Sequence, residues 1–365
     1  MKLSVQREQL IAPLQAVIGV VERRQTMPIL ANVLFVARDG LLSITGTDLE
    51  VELVAMTELE IQEDGEITVP ARKLLDICRA LPDGAEISLQ QDRERIQVKS
   101  GRSRFNLATL PAAEFPTVED ISVQQTLTIK QADLKHLLDK THFSMAQQDV
   151  RYYLNGLLLE ANGKRLRAVA TDGHRLALCD LELGEKGSAQ QQVIVPRKGV
   201  LELQRLLGSE GEVVMYIGSN HIRAEMDGIR FTSKLIDGRF PEYERVIPSQ
   251  ISQTMQADRE ILRHALQRTA ILSNEKYRGI RLDIRGDTLV IQANNPEHEE
   301  AHEELAVEYA GEELEIGFNV NYLLDALSAV ENETVEVGLS DSNSSCLIRE
   351  PGSDVCRYVV MPMRL

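Results

Sequence analysis

The sequence predicts an α+β chain made of three copies of one small domain, each copy holding two helices packed on antiparallel sheets. Three observations predict it. A strand-to-helix stretch, Ile67-Thr68-Val69-Pro70-Ala71-Arg72-Lys73-Leu74, returns as Val193-Ile194-Val195-Pro196-Arg197-Lys198-Gly199-Val200 and, more faintly, as Ile316-Gly317-Phe318-Asn319-Val320-Asn321-Tyr322-Leu323, with steps of 126 and 123 residues from Leu74 to Val200 to Leu323. Thr47-Asp48-Leu49 returns as Thr171-Asp172-Gly173 and then as Asn294-Asn295-Pro296, at steps of 124 and 123. Within the first copy, Val5 and Leu10 precede Val69 and Leu74 by 64 residues each, so the domain itself is duplicated. Solenoid units run about 20 to 50 residues, so a stride this long is a whole domain. The copies are expected at residues 1–122, 123–248 and 249–365.

The elements of one copy follow in order. After a short strand at Lys2 to Val5, Leu10, Leu14, Val17 and Ile18 keep helical spacing, with Pro13 expected near the first turn, where a missing N–H is tolerated. Alternating stretches at Val33 to Ala37, Leu41 to Thr45 and Leu49 to Ala55 read as strands punctuated by turns such as Asp39-Gly40. The second half restarts with a strand at Ile67 to Val69, Pro70 at a helix start and Leu74, Leu75 and Ile77 on the apolar face. Strands near Glu86 to Leu89, Arg95 to Ser100 and Arg104 to Thr109 then follow. Further helices of this kind are expected at Ala132 to Thr141 and Asp258 to Thr269, and Leu110-Pro111-Ala112-Ala113-Glu114-Phe115-Pro116 and Asp237-Gly238-Arg239-Phe240-Pro241 mark the linkers. Such domains can stack edge to edge into a curved wall.

Net charge is −16 over 365 residues, which by itself argues against a nucleic-acid partner. Its distribution says more: residues 1–125 carry −6, residues 126–250 carry +1 and residues 251–365 carry −11. Helical stretches nonetheless hold basic clusters: Arg72, Lys73 and Arg79; Lys135, Lys140, Arg197, Lys198 and Arg205; Arg259, Arg263 and Arg268. Any one cluster reads as a solvated face. Recurrence at equivalent places points to a shared basic surface. The four cysteines (Cys78, Cys179, Cys346, Cys356) have neither CxxC nor disulfide-framework spacing and read as small buried thiols of a reducing, cytoplasmic compartment. No signal-peptide core and no membrane-length apolar run is present in the sequence.

Two clusters invite a catalytic reading. His298-Glu299-Glu300-Ala301-His302 matches HExxH, the pattern of a zinc hydrolase, which works only on a helix, where positions i and i+4 share a face. The repeat aligns it with strand-like Leu49 to Ala55, and on a strand those positions stand roughly 13 Å apart. Thr171-Asp172-Gly173-His174-Arg175-Leu176 gathers titratable groups but lacks the rest of a site, with no GxSxG, phosphate loop or metal-spaced carboxylates in the chain. It fits a binding turn better. At the C-terminus, Tyr358-Val359-Val360-Met361-Pro362-Met363-Arg364-Leu365 joins a core strand to an adaptable Met-rich surface.

Several of these motifs carry a resemblance. Thr45-Gly46-Thr47-Asp48-Leu49-Glu50, Val69-Pro70-Ala71-Arg72-Lys73, Ser100-Gly101-Arg102-Ser103-Arg104-Phe105, Asp149-Val150-Arg151-Tyr152-Tyr153-Leu154-Asn155-Gly156, Thr171 to Leu176, Ile271-Leu272-Ser273-Asn274-Glu275-Lys276 and the terminal Tyr358 to Leu365 make the whole chain similar to the beta subunit of bacterial DNA polymerase III, the DNA sliding clamp family. The resemblance implies half of a six-domain ring: a head-to-tail homodimer around duplex DNA, helices inside and sheets outside, with no catalytic step and no cofactor or metal. It implies an interface of Lys73, Arg102, Arg104 and Leu107 with Ile271, Leu272, Glu297, Glu299, Glu300 and Glu303. It implies a partner-peptide pocket of Leu154, Thr171, Gly173, His174, Arg175, Leu176, Pro241, Arg245, Val246, Val359, Val360, Met361, Pro362, Met363 and Arg364. DNA contacts map onto Arg24, Arg72, Gln148, Tyr152 and Tyr153, with Arg197 and Lys198 added from the basic clusters. The implied partners are DNA without sequence preference, a second copy of the chain, a replicative polymerase subunit, an ATP-driven clamp loader, and translesion polymerases and repair proteins. A zinc hydrolase through His298, Glu299 and His302, and a DNA-free scaffold, are the rival readings.

Overall fold

Among the described residues, every α-helix starts where a strand stops. The computed structural model describes residues 1–21, 27–118, 121–184 and 190–364. Its first copy runs β1 (Lys2–Gln6), α1 (Arg7–Val17), β2 (Asn32–Arg38), β3 (Leu41–Thr47), β4 (Val51–Glu58), β5 (Ile61–Glu63), β6 (Gly65–Pro70), α2 (Ala71–Ala80), β7 (Glu86–Asp92), β8 (Arg95–Ser100) and β9 (Ser103–Ala108). The second runs β10 (Val123–Lys130), α3 (Gln131–Asp139), β11 (Gly156–Asn162), β12 (Arg165–Thr171), β13 (Arg175–Glu182), β14 (Gln191–Pro196), α4 (Arg197–Leu206), β15 (Glu212–Gly218), β16 (His221–Met226) and β17 (Ile229–Lys234). The third runs β18 (Gln253–Asp258), α5 (Arg259–Ala270), β19 (Gly279–Arg285), β20 (Thr288–Asn294), β21 (Glu300–Ala306), β22 (Glu308–Tyr309), β23 (Leu314–Asn319), α6 (Val320–Ala329), β24 (Thr334–Leu339), β25 (Cys346–Arg349) and β26 (Cys356–Val360).

The strand orders repeat as the sequence does. β1-β7-β8-β9, β10-β15-β16-β17 and β18-β24-β25-β26 are one arrangement written three times, and β4-β3-β2-β6, β13-β12-β11-β14 and β21-β20-β19-β23 are the other. The turn before the β4-type strand repeats down to single bonds. Thr47 Oγ1 donates to the Val51 carbonyl and Asp48 Oδ1 accepts the Val51 N–H, while Thr171 Oγ1 donates to the Arg175 carbonyl and Asp172 Oδ1 accepts the Arg175 N–H. Leu49 (φ 79°) and Gly173 (φ 89°) take the same left-handed conformation, which glycine adopts without strain and leucine does not. The third copy lengthens the turn, with Asn295 Oδ1 accepting the Glu299 N–H.

Contacts divide the described chain into two compact units that cut through the middle copy: Met1–Leu134 with Lys198–Leu235, and Lys135–Arg197 with Ile236–Leu365. In the first unit β17 pairs antiparallel with β4, Phe231 opposite Leu53, which fuses two half-sheets into one of eight strands. In the second, β13 pairs with β26, Leu176 opposite Val359, giving a sheet of nine. Helices seal these sheets by amphipathic spacing. α2 buries Ala71, Leu74, Leu75 and Cys78, an i, i+3, i+4, i+7 stripe. α5 buries Leu262, Ala265, Leu266 and Ala270, and the Asp258 carboxylate caps its start by accepting the Ile261 N–H at 2.9 Å. Each such buried leucine contributes about 1.5 to 3 kcal/mol.

Two sequence expectations are corrected here. Pro13 lies inside α1, because Gln6, Arg7 and Gln9 carry the helix start further upstream than the apolar spacing alone indicated. Cys179 and Cys356 form a disulfide although 177 residues separate them. Spacing along a chain says nothing about strand register, and β13–β26 pairing sets these two residues directly opposite each other. Cys78 and Cys346 are buried thiols as expected.

Candidate functional site

The second unit holds a small cavity of about 150 Å³ lined by Leu154, Thr171, Gly173, Arg175, Leu176, Pro241, Val246, Val359 and Met361 together with Arg151, Tyr153 and Tyr243. Nine residues of the expected pocket thus converge. The floor is apolar because Leu176 and Val359 face each other across the β13–β26 joint and pack with Leu158, Val169, Phe240 and Tyr243. Alternation along the strand decides the neighbouring residue: Val360 points to the opposite face, into the core beneath α5 and α6. His174 does not line the cavity, but its carbonyl accepts the Met361 N–H at 3.0 Å and fixes the wall there. Arg245 is exposed and paired with Glu242, and Pro362, Met363 and Arg364 run past the cavity, Met363 donating its N–H to the Gly317 carbonyl.

Charged residues build the rim. Arg175 forms ion pairs with Asp172 at 3.1 Å and with Asp325, donates to the Phe143 carbonyl at 2.8 Å, and stacks 4.6 Å above the Tyr322 ring. It therefore positions the β12–β13 turn against α6. Arg167, nearly buried, clamps Asp180 with two bonds and donates to the Tyr243 hydroxyl at 3.3 Å, holding that ring at the cavity. Burial is the first cause that pushes the Tyr243 hydroxyl above the ordinary tyrosine range. Arg151, Tyr153 and Tyr243 were missed as pocket residues, since their roles come from side-chain packing that no motif spacing encodes.

The loop before β11 joins this cavity to the expected DNA contacts. Arg151 donates twice to Asp149 (3.0 and 2.9 Å) and once to the Asp172 carbonyl, and its guanidinium lies against Gly173, where a Cβ would come within 3.0 Å. These bonds push the Asp149 carboxyl down to about 2, the side-chain bond from Arg151 first. Gln148 takes a left-handed φ of 55°, and Val150 and Tyr152 project with 95% and 56% exposure. Arg72 and Arg197 sit in the first turns of the related helices α2 and α4, the helix end that favours anions. Each has a buried guanidinium nitrogen, Nε of Arg72 and Nη1 of Arg197, with no hydrogen-bond partner. Burial, followed by the charge of Arg175, pushes the Arg197 pKa down. Lys198 is ion-paired with Asp48 at 2.5 Å. Arg24 lies outside the described residues.

The basic clusters are more neutralised than the sequence suggested. Arg205 pairs with Glu202, Lys140 with Glu331, Arg259 and Arg263 with Glu260, and Arg268 with Glu303; α6 carries no Lys or Arg. Lys73 and Arg79 of α2 stay exposed. The HExxH stretch is a turn and a strand: His298 has φ 64° and His302 lies on β21, its ring beside Gln292. The helical face that a zinc hydrolase needs is not formed there, and no cluster of three His, Cys, Asp or Glu with metal-binding geometry occurs among the described residues.

Eight strands stand at sheet edges among the described residues, and two of them, β9 and β21, are of the kinds that pair at the internal joints. β9 closes one sheet of the first unit and β21 one sheet of the second. Arg102 and Arg104, both exposed, and Leu107, half-buried, lie on or next to β9, while Lys73 is exposed on α2. Beside β21 stand Glu297, Glu299 and Glu300, exposed, Glu303 half-buried and paired with Arg268, Ile271 at 74% exposure and Leu272 half-buried. Phe105 lies on the same face of β9 as Leu107 by strand alternation, and is half-buried like it.

A thrice-repeated, helix-backed double sheet with an apolar cavity at one internal joint defines a modular clamp-type binding protein. The chain belongs to the DNA polymerase III beta subunit family. Residues 1–119 match its N-terminal domain, 128–242 its central domain and 244–364 its C-terminal domain. It is 58% identical to the beta sliding clamp of Pseudomonas putida and 54% identical to that of Escherichia coli K12, over all of each chain. A crystal structure of DNA polymerase III subunit beta from Pseudomonas aeruginosa matches with a TM-score of 0.98 at 57% identity over all of both chains, and a sliding clamp of that organism bound to griselimycin matches at 0.97 and 58%, again over all of both chains. Among the described residues no helix is long and apolar enough to cross a membrane.

Proposed function

We propose that two copies of this chain join head to tail into a closed ring that encircles duplex DNA and tethers a polymerase to it, without making or breaking a bond. The carrying observation is the strand inventory. Both internal joints pair a β4-type strand with a β9-type strand, as β4 with β17 and β13 with β26. Of these two types, one strand of each, β21 and β9, stands at a sheet edge without such a partner. A second copy completes both joints at once, with Lys73, Arg102 and Arg104 meeting Glu297, Glu299, Glu300 and Glu303. Leu107 and Phe105 bury against Ile271 and Leu272. The domains of this reading are 1–122, 123–248 and 249–365, and it places the protein in the cytoplasm, with the DNA.

Weak attraction suits the task. With most helix charges neutralised internally, Arg24, Arg72, Gln148, Tyr152, Tyr153, Arg197 and Lys198 supply a loose phosphate hold, and topology supplies retention. The cavity takes short apolar peptides of the polymerase, the clamp loader, translesion polymerases and repair proteins, one at a time. The test is retention on nicked circular DNA after loading by an ATP-driven clamp loader. The ring stays on the circle and is lost when the DNA is linearised; equal retention on both forms overturns the reading.

A further inference from the structure

The Cys179–Cys356 pair is not absorbed by the reading above, and its place in the fold gives it a use. It crosses from β13 to β26 at the joint between the second and third copies. Three residues further along the same ladder, Leu176 and Val359 are opposite each other and form the floor of the peptide cavity. Cys356 is half-buried and lines a second cavity of about 100 Å³ with His136, Lys140, Glu331, Glu350, Ser353 and Tyr358, whereas Cys179 is 1% exposed. Cys356 is therefore the member of the pair that opens onto a cavity, and Cys179 is the one shut off from solvent. The Tyr358 hydroxyl is buried without a hydrogen-bond partner, so the second cavity carries an unmet polar group beside Cys356.

We propose that Cys179 and Cys356 are a reversible redox site, exchanging with low-molecular-weight disulfides and thiols through Cys356, and that the oxidised pair locks the wall of the peptide cavity. In the oxidising direction the Cys356 thiolate attacks one sulfur of a small disulfide. A mixed disulfide forms and one small thiolate leaves. The Cys179 thiolate then attacks the Cys356 sulfur, the protein disulfide closes and the second small thiolate leaves. Two electrons pass from the protein dithiol to the small disulfide, and the two thiol protons end on the two small thiols. Reduction reverses each step, with a small thiolate attacking Cys356 first because Cys356 is the member that opens onto a cavity. The remaining cysteines stay out of the exchange: burial pushes the Cys78 thiol up to about 11 and the Cys346 thiol up to about 12, and the thiolate is the reactive form.

The coupling claim rests on the cavity assignment of the proposed function, and the site claim does not. The full-length protein is equilibrated with oxidised or reduced glutathione, unfolded in alkylating agent and weighed. Two adducts are expected from the oxidised sample and four from the reduced one, the chain having four cysteines. Four adducts under both conditions overturn the site. Native Cys179→Ser protein is expected to take up one glutathione at Cys356 and native Cys356→Ser protein none, and uptake in the opposite order overturns the route. Hydrogen exchange of the Val359, Val360 and Met361 amides, compared between the two states, is expected to be roughly fivefold slower when oxidised, a modest coupling between sites. Equal exchange overturns the locking claim. Failure of a polymerase-derived apolar peptide to bind in either state counts against the pocket reading alone, since the adduct count and the amide exchange stand without it.

Discussion

The internal joints and the open edges use the same kinds of strand and differ in what covers them. Along β4 and β13 the first residues are buried almost without a break, and β17 and β26 bury Phe231, Thr232, Ser233, Tyr358, Val359 and Val360. At the edges the related β9 and β21 alternate exposed and half-buried positions, apart from Leu305. An edge left like this is ordinarily blunted by charge. Here the two edges carry opposite signs, basic beside β9 and acidic beside β21, so each repels its own kind and attracts the other. Charge thus disfavours β9–β9 and β21–β21 contacts and suits the head-to-tail pairing proposed above. Most of the net charge of −16 lies in residues 251–365, which carry −11 and include the acidic edge.

The largest effect on this comparison is expected from Ile271→Ala with Leu272→Ala. Removing the exposed Ile271 and half-buried Leu272 side chains should weaken the proposed dimer by at least about 100-fold, read by analytical ultracentrifugation, while thermal unfolding of the monomer changes less than for a core leucine because Ile271 is already solvated. Leu176→Ala comes next. It should lower peptide affinity about tenfold or more in calorimetry and cost about 2 to 5 kcal/mol of stability, since Leu176 is 2% exposed in a packed core. The dimer should survive it, which separates the joint's two roles. Met361→Ala, at 37% exposure, should weaken peptide binding less and leave stability nearly unchanged.

The smallest effect concerns the loop latch. Because the Asp149 carboxyl is held down at about 2, its pairing with Arg151 is fully present above the ordinary carboxylate range and is lost only as pH falls through that depressed value. Amide exchange at Arg151, whose N–H donates to Asp149, should therefore show no loss of protection attributable to Asp149 between pH 8 and pH 5. Asp149→Asn should raise that exchange across the whole range. If the variant matched the parent, the latch would have no role.

Most of the architecture was legible because the repeat exposes it. Val-Pro-Ala-Arg and Val-Pro-Arg-Lys mark β6–α2 and β14–α4, and the Thr-Asp turn marks the entries to β4 and β13. What stayed hidden depended on which face or which partner a residue meets. Val360 was grouped with Val359 although strand alternation sends it into the other core. Cys179 and Cys356 meet only through the β13–β26 register. Arg151 and Tyr243 reach the cavity through side-chain bonds to Asp149 and Arg167. The basic helices looked freer than they are, because Glu202, Glu260, Glu303 and Glu331 neutralise them from the same or distant elements.

The pairing of opposite edges is tested most directly by splitting it between two chains. One variant carries Arg102→Glu and Arg104→Glu, the other Glu299→Arg and Glu300→Arg. Alone, each would face like charges at both joints and should sediment as a 40.8 kDa monomer. Mixed in equal amounts, the two variants present opposite charges at both joints and should sediment at twice that mass. A mixture that stays monomeric, or a single variant that dimerises as the parent does, would contradict the account.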